Sequence, residues 1–161
     1  MDQPNSCGTC RLCCTVMRVE QFPPPEPDKP AMVACQHLCK QGCGIYERRP
    51  VTCSGFECVW LTSQQWGKLA LSSSERPDRT GVIMTVNSKG TVTAHCKTPQ
   101  AWKGDRAHRR LQHYNNVLQS SVTIEHGDGT CSVLEKDGSA TLLEHIGVDP
   151  DTNENMYQRP K

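Results

Sequence analysis

Nine of the eleven cysteines in this chain fall between Cys7 and Cys58, four of them in the eight residues CGTCRLCC. The other five lie in CQHLCKQGCGIYERRPVTCSGFEC, from Cys35 to Cys58. Thiols at this density either ligate metal or pair as disulfides. An odd count forbids complete internal pairing, and the vicinal Cys13 and Cys14 bridge each other only with strain. The N-terminus, MDQPNSCGTC, is polar and acidic and lacks the basic and apolar regions of a secretory signal. A cytoplasmic chain is expected, in which stable bridges are disfavoured and metal is the better use of the thiols.

Spacing bears on which metal. In Cys7-x2-Cys10-x2-Cys13 the two-residue gaps let the backbone curl and aim three sulfurs at one centre, as many 4Fe–4S clusters require, with a remote fourth ligand at Cys43 or Cys53. Zinc sites also begin with C-x2-C but usually add a second such pair. Here the second cluster runs Cys35-x3-Cys39-x3-Cys43 and then Cys53-x4-Cys58. The pattern favours 4Fe–4S and leaves zinc as the alternative.

Other chemistry-bearing residues read as scaffold. His108 and His113 are five apart, off the i,i+4 spacing of a helical metal pair, and are expected on the surface. His95 and Cys96 are adjacent on a strand and point to opposite faces, which excludes a catalytic pair. Cys131 reads as an isolated core thiol, and Arg106, Arg109 and Arg110 as a solvated helix face. Tyr46, Phe56, Trp60 and Leu61 are expected to form a small core under the metal lobe, with Arg48 or Arg49 near the thiolates. No general base or nucleophile set stands out, so no catalytic residue is assigned.

These residues must be positioned by a thin core. Hydrophobic residues make up 35% and aromatics 5% of the 161 residues, and mean hydropathy is −0.60. Net charge is +1, which offers no broad field for nucleic acid or an anionic membrane. The longest apolar run, Gly81 to Met84, is far too short to span a bilayer. Phe22 to Pro30, FPPPEPDKP, predicts an extended spacer between the cysteine clusters, and Trp60 to Leu71 a helix. GVIMTV, NSKG and TVTAHC predict a hairpin over 81–96. DRAHRRLQHYNNVLQ predicts a helix capped by Asp105, with Ala107, Leu111, Tyr114, Val117 and Leu118 on its apolar face. A second hairpin is expected around Asp128-Gly129, one further strand in KDGSATLL, and a disordered tail over 148–161. The expected fold is α+β. A cysteine-rich metal-binding lobe over 1–72 is followed by antiparallel β-hairpins packed on one helix over 73–147.

The cysteine pattern resembles the YkgJ-type CxxCxxCC cysteine-cluster family of zinc- or iron-chelating proteins. That family runs roughly CxxCGxCC, a spacer, CxxL, then GCxIYxxRPxxCRxFxC. Cys7, Cys10, Cys13 and Cys14 match the first element, and Cys35 with Leu38 the second. Gly42, Cys43, Ile45, Tyr46, Arg49, Pro50, Cys53, Phe56 and Cys58 match the third. Arg11 replaces the glycine of the first element and Ser54 the arginine after Cys53. The resemblance covers about residues 7–60 and implies metal ligation by Cys7, Cys10, Cys13, Cys14, Cys35, Cys43, Cys53 and Cys58. Cys39 has no counterpart and is read as a spare, a substitute ligand or a thiol beside the site. Eight thiols suit two four-thiolate zinc sites, a dinuclear zinc cluster, or one 4Fe–4S cluster with four thiols over. A similar pattern in a flagellin lysine methylase implies that the module can serve enzymes, but no glycine-rich S-adenosylmethionine loop is present here.

The expected function is therefore a metal-binding protein in an accessory, storage or sensing role, with metal ions as its partners. The alternatives are a redox or metallo-enzyme component with substrate at an incompletely ligated iron, or a structural zinc domain for protein interaction.

Overall fold

The computed structural model describes residues 8–20, 22, 26–151 and 155–161, so Cys7 and the three consecutive prolines of the spacer, 23–25, fall outside the described residues. The fold is α+β. Its N-terminal half is made of short elements: α1 (Cys13–Val16), the two-stranded hairpin β1 (Leu38–Cys39) and β2 (Gly42–Cys43), α2 (Val51–Ser54) and α3 (Val59–Ser63). Their brevity follows from the sequence. Prolines, glycines and cysteines interrupt every apolar period before a third helical turn can form.

The predicted helix over Trp60–Leu71 is cut short. It ends at Ser63, and the chain turns through a 3-10 segment at Gly67–Leu69, where Gly67 has φ +58. Ser63, fully buried, locks that turn: its hydroxyl donates to the Trp60 carbonyl at 2.7 Å and accepts from the Leu71 amide at 3.0 Å. A second short helix, α4 (Pro77–Thr80), ends on Gly81 at φ +73, the left-handed position that releases the chain into the sheet.

Five strands form the C-terminal sheet in the order β3 (Val82–Val86), β4 (Val92–Cys96), β5 (Val122–Glu125), β6 (Cys131–Leu134), β7 (Ala140–Leu142). The predicted hairpin is β3–β4, with Val82 opposite Cys96 and Val86 opposite Val92. The second hairpin is β5–β6, and β7 extends it. The two antiparallel hairpins join in parallel, β4 beside β5 with Val92 opposite Val122, because α5 (Asp105–Asn116) carries the chain back across the sheet. The sheet is therefore mixed.

Helix α5 packs one face of the sheet. Ala107, Leu111 and Tyr114 meet Val82, Met84, Val92, Ala94, Val122, Ile124 and Leu134 in a single core with Trp102. Asp105 is the first helical residue, after Gly104, and makes no capping bond with its side chain. Val117 and Leu118 are exposed, because the helix ends at Asn116 and Gln119 turns left-handed at φ 54. Buried Asn115 closes the helix onto the sheet, its amide donating to the Leu134 and Glu135 carbonyls at 3.0 Å each. Beyond the sheet, β8 (Glu144–Val148) pairs with β9 (Asn155–Gln158) where an irregular tail was expected.

The opposite face of β3 seats the cysteine lobe. Ile83, 1% exposed, is buried among Leu12, Val16, Cys58 and Leu61. Arg76 adds a polar tie: it forms a two-toothed pair with Asp78 at 2.6 and 2.8 Å and donates to the Thr9 hydroxyl at 3.1 Å.

Leu111→Ala is expected to cost about 2–5 kcal/mol, since the buried site offers no room to collapse. Leu118→Ala is expected to stay within about 0.5 kcal/mol. Urea unfolding of the two variants measures the difference, and equal losses would contradict this description of the core.

Candidate metal centre

Seven cysteines line one cavity of about 360 Å³: Cys10, Cys13, Cys14, Cys35, Cys43, Cys53 and Cys58. They come from several short elements and the turns between them. Cys13 and Cys14 open α1, and Cys10 lies just before it. The spacer returns through Met32, a non-glycine residue at φ 62, and this turn brings the Cys35 amide to the Cys14 carbonyl at 2.8 Å. The β1–β2 hairpin presents Cys43, α2 presents Cys53, and Cys58 precedes α3. Of the eight expected ligands, only Cys7 falls outside the described residues. Cys39 is exposed and does not line the cavity, whereas Cys96 and Cys131 are buried in the sheet.

The thiols ring a space rather than meet at a point. Among the described residues, no three cysteine, histidine, aspartate or glutamate side chains converge closely enough to hold one ion. Their electrostatics nonetheless couple them. Burial pushes the Cys53 thiol up, and the charges of Cys14, Cys35 and Cys43 add to the rise. Burial likewise raises Cys58, with a further push from Cys10, and raises Cys10 itself. Cys14 goes the other way. The hydrogen bond from Cys13 draws it down to about 6 against the cost of burial, helped by the charges of Lys29, Arg11 and Arg49.

Lys29 is the least expected member. Only 5% exposed, it donates to the carbonyls of Thr15 at 3.2 Å, Met17, and Pro30 at 3.0 Å. Among the described residues it has no carboxylate partner. Burial lowers its pKa, and the anionic forms of Cys35, Cys14, Cys13 and Cys53 oppose that fall. No cue in the sequence distinguishes it from the spacer's other polar residues. Arg49 does line the cavity, unlike Lys29, with its guanidinium 3.7 Å from the Tyr46 ring centroid. Tyr46 itself is 46% exposed, so it is a surface platform for Arg49 rather than part of the core expected for it. Leu61 is buried as expected, with Phe56 and Trp60 packed beside it.

The donor set fits a thiophilic metal: the cavity's lining carries seven soft sulfurs and three arginines, Arg11, Arg18 and Arg49, with no carboxylate or imidazole. Such a set suits iron–sulfur or zinc rather than calcium or magnesium, which need oxygen ligands.

Away from the cavity, one further constellation escaped sequence reasoning. The Thr85 hydroxyl lies 3.0 Å from Nε2 of His95, whose Nδ1 lies 2.6 Å from the Glu125 carboxylate. Burial pulls the Glu125 pKa up, but the His95 contact outweighs it and leaves the carboxyl below its ordinary value. The three residues come from neighbouring strands, so only the β4–β5 register could have revealed them. His108 is half-buried, its ring 5.5 Å from that of Trp102, contrary to the surface position expected. Arg110 pairs with Glu75 at 2.7 Å, and Arg106 and Arg109 are exposed as expected of a solvated face.

No helix of the described residues is long and apolar enough to cross a membrane. Comparisons with models of known families, with curated proteins and with solved structures find no match to this chain.

In the reduced, metal-free protein, Cys14 is expected to be alkylated fastest, because the thiolate is the reactive form. Its rate should fall as pH drops through about 6. Cys96 and Cys131, pushed up to about 12 by burial, are expected to stay unmodified until the protein unfolds. Peptide mass spectrometry after a short iodoacetamide pulse reads this, and a Cys14 no faster than exposed Cys39 at pH 7 would refute it.

Proposed function

We propose that this protein binds metal through its clustered cysteine thiolates, holding a 4Fe–4S cluster or zinc in an accessory, storage or sensing role. The observation that carries this reading is the cavity lined by seven cysteines beside a buried lysine. Disulfides fit poorly there, because bridged sulfurs carry no charge and would leave Lys29 with no anion to balance it. The likeness to the cysteine-cluster family points the same way. Iron–sulfur is the first choice, on the C-x2-C-x2-C spacing from Cys7 to Cys13. Bound there, a cluster would supply one-electron chemistry, whereas zinc would supply a redox-inert cross-link. The protein's own residues would hold the thiolates in place, shield them from water and offset their charge. A reducing cytoplasm would keep those thiols available.

Protein made and purified under strict anaerobiosis, with iron, acid-labile sulfide and zinc all counted, is expected to hold iron and sulfide in equal amounts. Full zinc with no sulfide would reverse the choice of metal, and neither metal at stoichiometry would overturn the reading itself. Cys131→Ser should keep full metal content, because that thiol sits in the sheet.

Metal removal is expected to unfold the lobe before the sheet. Only five buried residues make the apolar cluster under the cysteines, so ligation must supply much of the lobe's stability. Chelation should therefore strip amide-exchange protection from α1 and the β1–β2 hairpin while β3–β6 keep theirs. Protection that stays unchanged in the lobe after complete metal removal would contradict this.

A further inference from the structure

A second cavity lies on the α5 side of the sheet and shares no lining residue with the cysteine cavity. It holds about 420 Å³, within the range of small-molecule sites. Helix α5 supplies one wall with Arg106, Arg109, Arg110 and His113, which recur at i, i+3, i+4 and i+7 and so share one helix face. The other wall is the 3-10 turn Ser73–Glu75 with Ser72 before it. That wall is anchored. The Trp60 indole donates to the Ser72 carbonyl at 3.0 Å, and the Ser72 amide donates to the Glu75 carboxylate at 3.1 Å.

The protein does not balance the charge it gathers here. Glu75 also lines the cavity, but its carboxylate is engaged by Arg110 at 2.7 Å. Among the described residues neither Arg106 nor Arg109 has a carboxylate partner, and Arg109 donates to the backbone carbonyl of Asp105 at 3.1 Å. Like charges three residues apart on a helix repel, and Arg106 stands in the first turn, where the helix dipole disfavours a cation. Two guanidinium charges beyond the one that Glu75 neutralises match a dianion. A phosphate monoester carries close to two negative charges at neutral pH, and its three acceptor oxygens suit guanidinium forks and the hydroxyls of Ser72 and Ser74. Three arginines on a chain of net charge +1 give no track for a nucleic-acid strand.

We propose that this cavity binds the phosphate group of a small soluble phosphate monoester. Arg106 and Arg109 grip the phosphate, Glu75 holds Arg110 in place beside them, and the serine hydroxyls complete the shell. The helix face expected from the sequence to be solvated is thus a binding surface. It is independent of the metal-binding reading, because it uses none of the cysteines.

The test uses the full chain as purified, with inorganic phosphate and glycerol 3-phosphate as probes and sodium chloride matching the ionic strength. Both probes are expected to bind saturably at one site by calorimetry, and to shift the Nε–H signals of Arg106 and Arg109 in NMR spectra. Arg106→Gln and Arg109→Gln should each weaken binding about 10-fold or more, the usual worth of a charge-assisted hydrogen bond. Arg79→Gln, at an exposed arginine outside the cavity, should bind as wild type does. Without phosphate, the two cavity variants should unfold at the urea concentration of wild type or above it, since each removes a repelled charge. Weakened binding in variants that also unfold earlier would trace the loss to the fold and overturn the proposal. No saturable binding, or binding undiminished in both cavity variants, would overturn it as well. Association with vesicles of phosphatidylcholine and phosphatidic acid, without binding of either soluble probe, would assign the face to a membrane surface instead.

Discussion

A lysine ammonium buried among backbone carbonyls, within electrostatic reach of the clustered thiols, sets the terms for the N-terminal half of this protein. Lys29 reaches the carbonyls of Thr15 and Met17, at the end of α1, and of the adjacent Pro30. Its backbone also bridges Val19, with N–H···O bonds of 2.8 and 3.0 Å. One residue thus fixes the return of the spacer onto the first cysteine cluster. Yet the same side chain is buried, and among the described residues no carboxylate pairs with it. Three carbonyls accept from it, and the neighbouring thiols, when ionised, favour its charged form.

The sheet contributes rigidity rather than chemistry. Its first strand is apolar on both faces: Val82 and Met84 look toward α5, and Ile83 toward the cysteine lobe. A strand buried on both sides cannot shift register without exposing one set, so β3 is a firm seat for α3 and Cys58. The Arg76–Asp78 pair holds the entry to that strand and ties it to Thr9, close to the first cysteines. Ligands far apart in sequence are thereby referred to one rigid element, as a thiolate site demands.

Legibility followed the range of the forces involved. The β3–β4 hairpin and α5 were readable because alternation, turn residues and helical period all lie within a few residues of one another. The seven described cysteines around the cavity were readable for a similar reason, since residue type and spacing mark them directly. Periodicity alone would have continued α3 to Leu71, but it ends at Ser63 and Gly67 lies in the turn beyond it. Val117 and Leu118 kept the apolar period but lost the helix, so their burial was overestimated. Tyr46 looked like core and became a surface partner of Arg49. The parallel β4–β5 pair, the β8–β9 hairpin and the Thr85–His95–Glu125 contact depend on strand order, which no local pattern encodes. Lys29 was invisible for another reason: nothing in a proline-rich spacer marks one lysine as the residue that ends up buried.

The parallel pairing of β4 with β5 has a kinetic meaning. The β3–β4 hairpin closes through a short local turn, and α5 can begin to form from its own residues. Val92, however, cannot find Val122 until the whole intervening helix has left the ribosome and folded back. During that interval β4 presents an open edge with Val92 and Ala94, residues that are buried once the sheet is complete. The growing chain is most exposed to wrong pairing at this stage, and the speed with which α5 docks sets how long the exposure lasts.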